Sequence, residues 1–238
     1  MFSINQLNGF NVSAKTSLTA SGLWVIADTD RMSRTPGSAG NRKTMTFSLW
    51  VKRVSTGALQ TIISASETTQ CRFVFTAADK IAFNRATTDY FLSTPTYTST
   101  TQWYHICLGI DTSQAAHGDQ FKLEVDGVNV ASDNTTAITQ NQNLELTNAE
   151  AHLIGKYFSG GTDLLAARVA DFQMVDGSKL TASNFRDGGS PATYTGAFGT
   201  TGFRLDFAAS GDLGNDVSGN NNDWTNTGVA QDTADFPT

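Results

Sequence analysis

The sequence predicts an all-β fold, a single antiparallel β-sandwich, and three observations predict it. Short runs with period-two alternation of apolar and polar residues recur along the chain, which is the repeat of a strand with one buried face. Turn residues (Gly, Asn, Asp, Ser) punctuate these runs throughout, and no stretch carries the period of an amphipathic helix. Charged residues make up only 16% of the 238 residues against 39% hydrophobic, and Ser, Thr, Asn and Gly fill the difference. That balance suits many short strands joined by polar turns, and the length is ordinary for one sandwich.

Residues 1–30 scatter Phe2, Ile4, Leu7, Phe10, Val12, Leu18, Leu23 and Trp24 among polar residues. A free solvated tail has no use for so many large apolar groups. The segment therefore reads as a docking arm that packs on a surface, its own or a partner's, and residues 31–238 read as the sandwich. Residues 44–53 form the clearest strand. Met45, Phe47, Leu49 and Val51 fall on one face, while Thr46, Ser48, Trp50 and Lys52 form a mostly wet one. Residues 61–64 and 71–75 follow, then a turn at 77–80 and a return strand at 81–84. Residues 103–111 are the next strand. Residues 121–125 and 128–132 flank Asp126-Gly127, a strong hairpin signal because both central residues of a type I′ turn need positive φ. Strands are expected at 152–155, 167–175 and 203–207, with one helical turn at 180–185. Residues 208–238 form a segment dominated by Gly, Asn, Asp, Ser and Thr.

Several function classes are disfavoured. The formal net charge is −6 and the basic residues are scattered, a poor match for a phosphate backbone, so nucleic acid is not an expected partner. No run of about 20 apolar residues is present to cross a membrane as a helix. The N-terminus lacks the basic and apolar regions of a secretory signal, so synthesis in a cytoplasm is expected. Cys71 and Cys107 each sit inside an apolar run and are read as buried thiols, with a disulfide between adjacent strands as the alternative. With His105, His117 and His152 they make no zinc-ligand spacing.

From about Arg31 to Phe185 the order of the elements carries a pattern. It runs through Thr46-Phe47-Ser48-Leu49-Trp50-Val51, Trp103-Tyr104-His105, the Asp126-Gly127 hairpin and His152-Leu153-Ile154-Gly155. It ends on Ala170-Asp171-Phe172-Gln173-Met174-Val175-Asp176-Gly177 followed by Leu180-Thr181. This pattern resembles the laminin-G-like, concanavalin A-like jelly roll. Residues 202–225 and the terminal Asp232-Thr233-Ala234-Asp235-Phe236-Pro237-Thr238 look like the C-terminal part of such proteins encoded by tailed bacteriophages. The resemblance implies a virion structural protein: a capsid decoration, a head fibre or a small tail-fibre adaptor. It would be assembled in the host cytoplasm, bind other virion proteins through residues 1–30, form a homo-oligomer and contact host-surface glycans. A free lectin-like module is the alternative, and a β-glucan hydrolase the last.

The same fold hosts laminarinase-type glucanases, so catalysis needs a test. A retaining glycosidase sets two carboxylates about 5–5.5 Å apart. The family resemblance would place them in a Glu-x-Asp-x-x-Glu run, and the nearest match, Glu124-Val125-Asp126, has Asn129 where the second Glu belongs. Glu67, Glu145 and Glu150 do not complete a pair, and no Gly-x-Ser-x-Gly elbow is present. The chain is therefore expected not to be an enzyme, with no catalytic residue and no cofactor. Calcium is the metal considered. Asp212, Asp216, Asn220 and Asp223, together with Asn215, Ser218 and Asn222, supply many oxygens. The same residue types build turns, which is the preferred reading. Candidate glycan contacts are the loop-proximal aromatics Tyr90, Tyr97, Tyr157 and Trp224.

Overall fold

The computed structural model of the chain describes residues 15–25, 30–66, 68–158 and 163–238. Its early strands are β1 (Ser21–Trp24), β2 (Arg31–Arg34), β3 (Thr44–Arg53), β4 (Gln60–Ala65), β5 (Cys71–Phe75), β6 (Ile81–Arg85) and β7 (Thr88–Leu92). Next come β8 (Tyr104–Asp111), a short helix (His117–Gln120), β9 (Phe121–Val125), β10 (Val128–Val130), β11 (His152–Ile154) and β12 (Ala167–Asp176). A 3-10 turn (Ala182–Asn184) precedes the small hairpin β13 (Arg186–Asp187) and β14 (Ser190–Pro191). Strands β15 (Phe203–Leu205), β16 (Thr225–Thr227) and β17 (Ala230–Asp232) complete the chain.

These strands form the antiparallel sandwich that the sequence predicts. One sheet runs β10-β9-β8-β3-β12-β1-β17, with β15 also on β12; the other runs β16-β2-β11-β4-β5-β6-β7. Strand β12 can hold both β1 and β15 on one edge because its register shifts between Ala170 and Gln173, where Asp171 takes φ 46°. A bulge of this kind bends the strand and lets its two halves take different neighbours.

The main core lies between the sheets. Alternation along β3 delivers Met45, Phe47, Leu49 and Val51 to it, where they join Ile106, Leu108 and Ile110 of β8 and Phe73, Phe75 and Phe83 from the opposite sheet. Val128 pairs with Val125 across Asp126 (φ 53°) and Gly127 (φ 79°), so the hairpin read from the Asp-Gly pair is present with positive φ at both turn residues.

The other face of β3 differs from the expectation of a wet surface. Thr46, Ser48 and Trp50 are buried, because the chain after β12 folds back over that face. Cys107, Val175, Ala182, Phe185 and Phe198 form a second, smaller core there, and Leu18, Trp50 and Ala170 a third, flanked by Trp103 and Phe236. The two cysteines are free thiols. They cannot pair as neighbours, since Cys71 belongs to the main core and Cys107 lies under the outer layer of the other sheet. The segment read as an arm divides in two. Residues 1–14 and 26–29 lie outside the described residues. The rest is built into the domain: Thr16 N–H donates to the Pro191 carbonyl, and β1 sits between β12 and β17 with Trp24 fully buried.

Candidate functional site

A cleft of about 660 Å3 opens where the sandwich edge brings β7 of one sheet near β9 and β10 of the other. Its apolar floor comes from Phe91, Phe121 and Leu123, whose alternation along their strands turns them into the core. Its rim is polar and includes Gln114, Asn129, Ser132, Asn134 and Thr135. Local bonding fixes these walls. Gln120 is buried and donates from Nε2 to the carbonyls of Gln114 and Ile138, while its Oε1 accepts from Ile138 N–H at 2.7 Å. Ser132 Oγ accepts from Leu92 and Asn134 N–H, and Asn134 Nδ2 donates to the Asp89 carbonyl, which clips the 131–136 loop to β7.

His117 forms one wall. Its imidazole lies parallel to Phe91, at 11° with centroids 6.3 Å apart, and 5.2 Å from the Phe121 ring. Nε2 is 2.7 Å from the Tyr90 carbonyl oxygen. A carbonyl only accepts, so Nε2 carries the hydrogen and Nδ1 is the acceptor of the neutral ring. The sequence shows His117 only as one of three histidines without zinc-ligand spacing. The available signal was the spacing to Phe121, four residues on, which one helical turn converts into a ring contact.

The charged groups of the cleft nearly cancel: Asp111 and Asp119 against Lys122 and Lys179. Burial works to raise the Asp111 pKa, but hydrogen bonds from Ser113, Gln114 and Thr44 outweigh it and hold the carboxylate below its ordinary value. Lys179 is lowered, chiefly by burial, and donates from Nζ to the Asp119 carbonyl. Asp111 is thus a fixed, ionised turn-builder, not a proton donor.

The aromatic residues singled out in the sequence are not brought together. Tyr90 packs half-buried beside the cleft and contributes its carbonyl. Tyr97 is buried edge-on against Tyr104 at 5.4 Å, and burial pushes its hydroxyl up to about 12. Tyr157 is buried under the Arg72 guanidinium, 4.2 Å from the ring centroid. Trp224 is buried against Phe203 at 5.0 Å. The rings of Tyr97, Tyr157 and Trp224 are used for packing, Trp224 beside the hollow it lines with Asp212 and Asp223, and the four candidates do not share one site.

The oxygen-rich C-terminal segment builds turns. Asp216 Oδ1 accepts from the N–H groups of Arg204 and Ser218, and Oδ2 from Ser218 Oγ–H and Asn222 N–H. Asp223 Oδ1 accepts from Asp216 N–H, and Asn220 Nδ2 donates to the Gly199 and Gly202 carbonyls. Asp212 is exposed and shares with Asp223 a shallow hollow of about 400 Å3. Among the described residues no three His, Cys, Asp or Glu side chains converge as a metal site.

The remaining polar pairs are structural. Glu124 accepts from Ala182 N–H and Asp126 from His105 N–H. Ser48 Oγ and His105 Nε2 are 2.9 Å apart, but both side chains are buried and burial pushes the imidazole down to about 3. No substrate reaches that pair.

Comparison with known proteins bears on the fold. The family model of the concanavalin A-like lectin/glucanases superfamily matches residues 28–184. A Bacteroides ovatus protein assigned as carbohydrate binding superposes with a TM-score of 0.63 at 15% identity, over 93% of this chain and 62% of that one. The chain thus spans under two thirds of that protein. The heptameric SAP-like pentraxin of Limulus polyphemus superposes with a TM-score of 0.53 at 12% identity, over 81% of this chain and 94% of the pentraxin. Domain 4 of a GH43 extracellular arabinanase from Geobacillus stearothermophilus, in complex with arabinotriose, reaches 0.46 at 14% identity over 63% of this chain and 67% of the domain, too loose to bear an argument. No curated protein sequence matches the chain.

Proposed function

The chain belongs to the concanavalin A-like lectin/glucanases superfamily, and from that premise we propose that it is a non-enzymatic carbohydrate-binding module whose sugar site is the cleft at the β7/β9-β10 edge. The observation that carries this reading is the chemistry of that cleft. A pyranose has an apolar C–H face and a rim of hydroxyls. The cleft offers an apolar floor of Phe91, Phe121 and Leu123, the half-buried His117 ring, and a rim of amide and hydroxyl groups. Clefts of a few hundred Å3 with sparse, fixed polar groups are the usual form of small-ligand sites. Near-cancellation of the local charges favours a neutral sugar over an anionic one. The carbohydrate-binding assignment of the B. ovatus protein supports the same reading. The absence of catalysis is inferred from Asp111, whose carboxylate is tied into a turn, and from Glu124, tied to Ala182.

A glycan array with the full chain, run with and without chelator, tests the proposal. Retention of neutral glycans is expected in both conditions. Loss in both would remove the reading, and reducing-sugar release from a β-glucan would replace binding with hydrolysis.

We also propose, as a second reading, that the module is a homo-oligomeric virion component that meets other virion proteins through the segment ahead of β1. Its support is the sequence resemblance of residues 202–225 and 232–238 to the C-terminal parts of tailed-phage proteins. Light scattering that shows a stable oligomer for the full chain supports it, and a monomer at all concentrations removes it.

A further inference from the structure

Three buried polar atoms lack a hydrogen-bond partner among the described residues and belong to residues lining one small cavity: His152 Nε2, Thr201 Oγ1 and Trp224 Nε1. An unpartnered buried polar group costs about 1–3 kcal/mol, and native proteins leave few of them. Three around one hole point to a shared occupant. The cavity holds about 10 Å3 of room for a water's centre, close to the need of one water molecule.

The protonation states narrow the occupant. His152 Nδ1 is 2.7 Å from the Glu150 carbonyl oxygen, so Nδ1 carries the hydrogen. Burial is the main cause that pushes the His152 pKa below its ordinary value, against hydrogen bonding to the Glu150 and Leu146 backbone, and the ring stays neutral near pH 7 with Nε2 as its acceptor nitrogen. Trp224 Nε1–H can only donate, and Thr201 Oγ1 can do either. A cation meets the Trp224 N–H and Arg34 in the wall, with no carboxylate among the lining residues. An anion meets the Nε2 lone pair. A water both donates and accepts, and it fits the available room.

We propose that this cavity is the binding site of one structural water, which accepts from Trp224 Nε1–H, donates to His152 Nε2 and shares a hydrogen bond with Thr201 Oγ1. The site fastens three parts of the chain: β11 of the seven-stranded sheet, the turn before β15, and the segment before β16. Arg34 of β2 braces the same parts, donating to the Thr201 carbonyl at 3.0 Å and to Asn222 Oδ1. Thr201 and Trp224 both lie beyond residue 184, where the family match ends. The water therefore ties the C-terminal part of the chain to the residues of the family match, whatever the edge cleft binds.

The test uses the full chain. With 15N-labelled tryptophan, a nuclear Overhauser cross-peak from a long-lived water to the Trp224 indole N–H is expected, and its absence overturns the proposal. Thr201→Val supplies a second measurement with opposite signs for the two cases. If the water is present, the variant removes one of its partners and the Tm falls by about 2–4 °C. If the cavity is dry, the variant replaces an unpartnered hydroxyl with a methyl and the Tm stays level or rises, which also overturns the proposal. Should the variant fail to fold, the cross-peak in the unaltered chain decides alone.

Discussion

His117 lays its imidazole parallel to Phe91, at 11°, while its Nε2–H donates to the Tyr90 carbonyl at 2.7 Å. One residue from the turn before β9 thereby ties the eight-stranded sheet to β7 of the other sheet and forms a wall of the cleft. His117→Ala is expected to weaken glycan binding about tenfold or more, as loss of a ring wall and a polar contact does. The fold should survive with about 1 kcal/mol lost, because the ring is only half-buried. Calorimetric titration and a thermal scan separate the two effects. Unchanged affinity would move the sugar site away from this cleft.

Strand β1 sets how far the N-terminus can be cut. Removal of residues 1–14 keeps β1 and should give a folded domain. Removal of residues 1–30 deletes β1 and with it Trp24, which is fully buried and packs edge-on against Phe207 at 5.8 Å. Loss of a buried Trp alone costs about 3–5 kcal/mol, and β12 and β17 lose their shared partner besides. The longer truncation is expected to be unfolded or aggregated by circular dichroism and light scattering. A stable 31–238 domain would show that β1 is an accessory strand.

The sandwich was legible because alternation is a local signal: Met45, Phe47, Leu49 and Val51 announce their face without help from the rest of the chain. The Asp126-Gly127 hairpin was legible for the same reason. What covers the opposite face was not, since the burial of Ser48 and Trp50 depends on residues 177–198 and 236 folding back, a long-range event with no local signature. The same limit applies to the site. Tyr97, Tyr157 and Trp224 sit beside loops in the sequence, yet Tyr104, Arg72 and Phe203 cover them in space. His117 sat in an unremarkable loop and turned out to be an organising residue. Asp216 and Asp223 had the right oxygens for calcium, and their use by turn N–H groups emerges only from the folded geometry.

Both thiols should be inert in the native state. Cys71 and Cys107 are buried, and burial raises both pKa values, so the reactive thiolate is suppressed. A thiol reagent at neutral pH is expected to label neither until denaturant unfolds the chain, after which both react. The Tm should be the same with and without reductant, since no disulfide links the two layers. Rapid labelling of the native protein would mean that one of the layers opens readily.

The C-terminal strap should loosen in acid. Asp235 accepts from Lys52 Nζ at 2.8 Å and from Trp103 Nε1–H at 3.0 Å, and Asp232 accepts from Arg168 at 2.7 Å. Both carboxylates sit below their ordinary pKa. For Asp232 the Arg168 hydrogen bond is the main cause; for Asp235 burial opposes the shift, and Lys52 and Trp103 outweigh it. A folded-state pKa lower than the unfolded one gives stability that is fully present above the unfolded value, about 3.9, and is lost as pH falls through the folded value. Stability from the strap is therefore flat between about pH 5 and 8 and declines below about pH 4. These groups are partly solvated, which keeps the effect small beside the packing of the partly buried Phe236 and the pairing of β17 with β1. Amide exchange at residues 230–232 should speed up in that acid window before the rest of the sheet. Asp235→Asn, which keeps the shape but removes the charge, should exchange faster at pH 7 and show a weaker acid response. Identical exchange at pH 7 and about pH 3 would assign the strap's hold to β17 pairing and Phe236 alone.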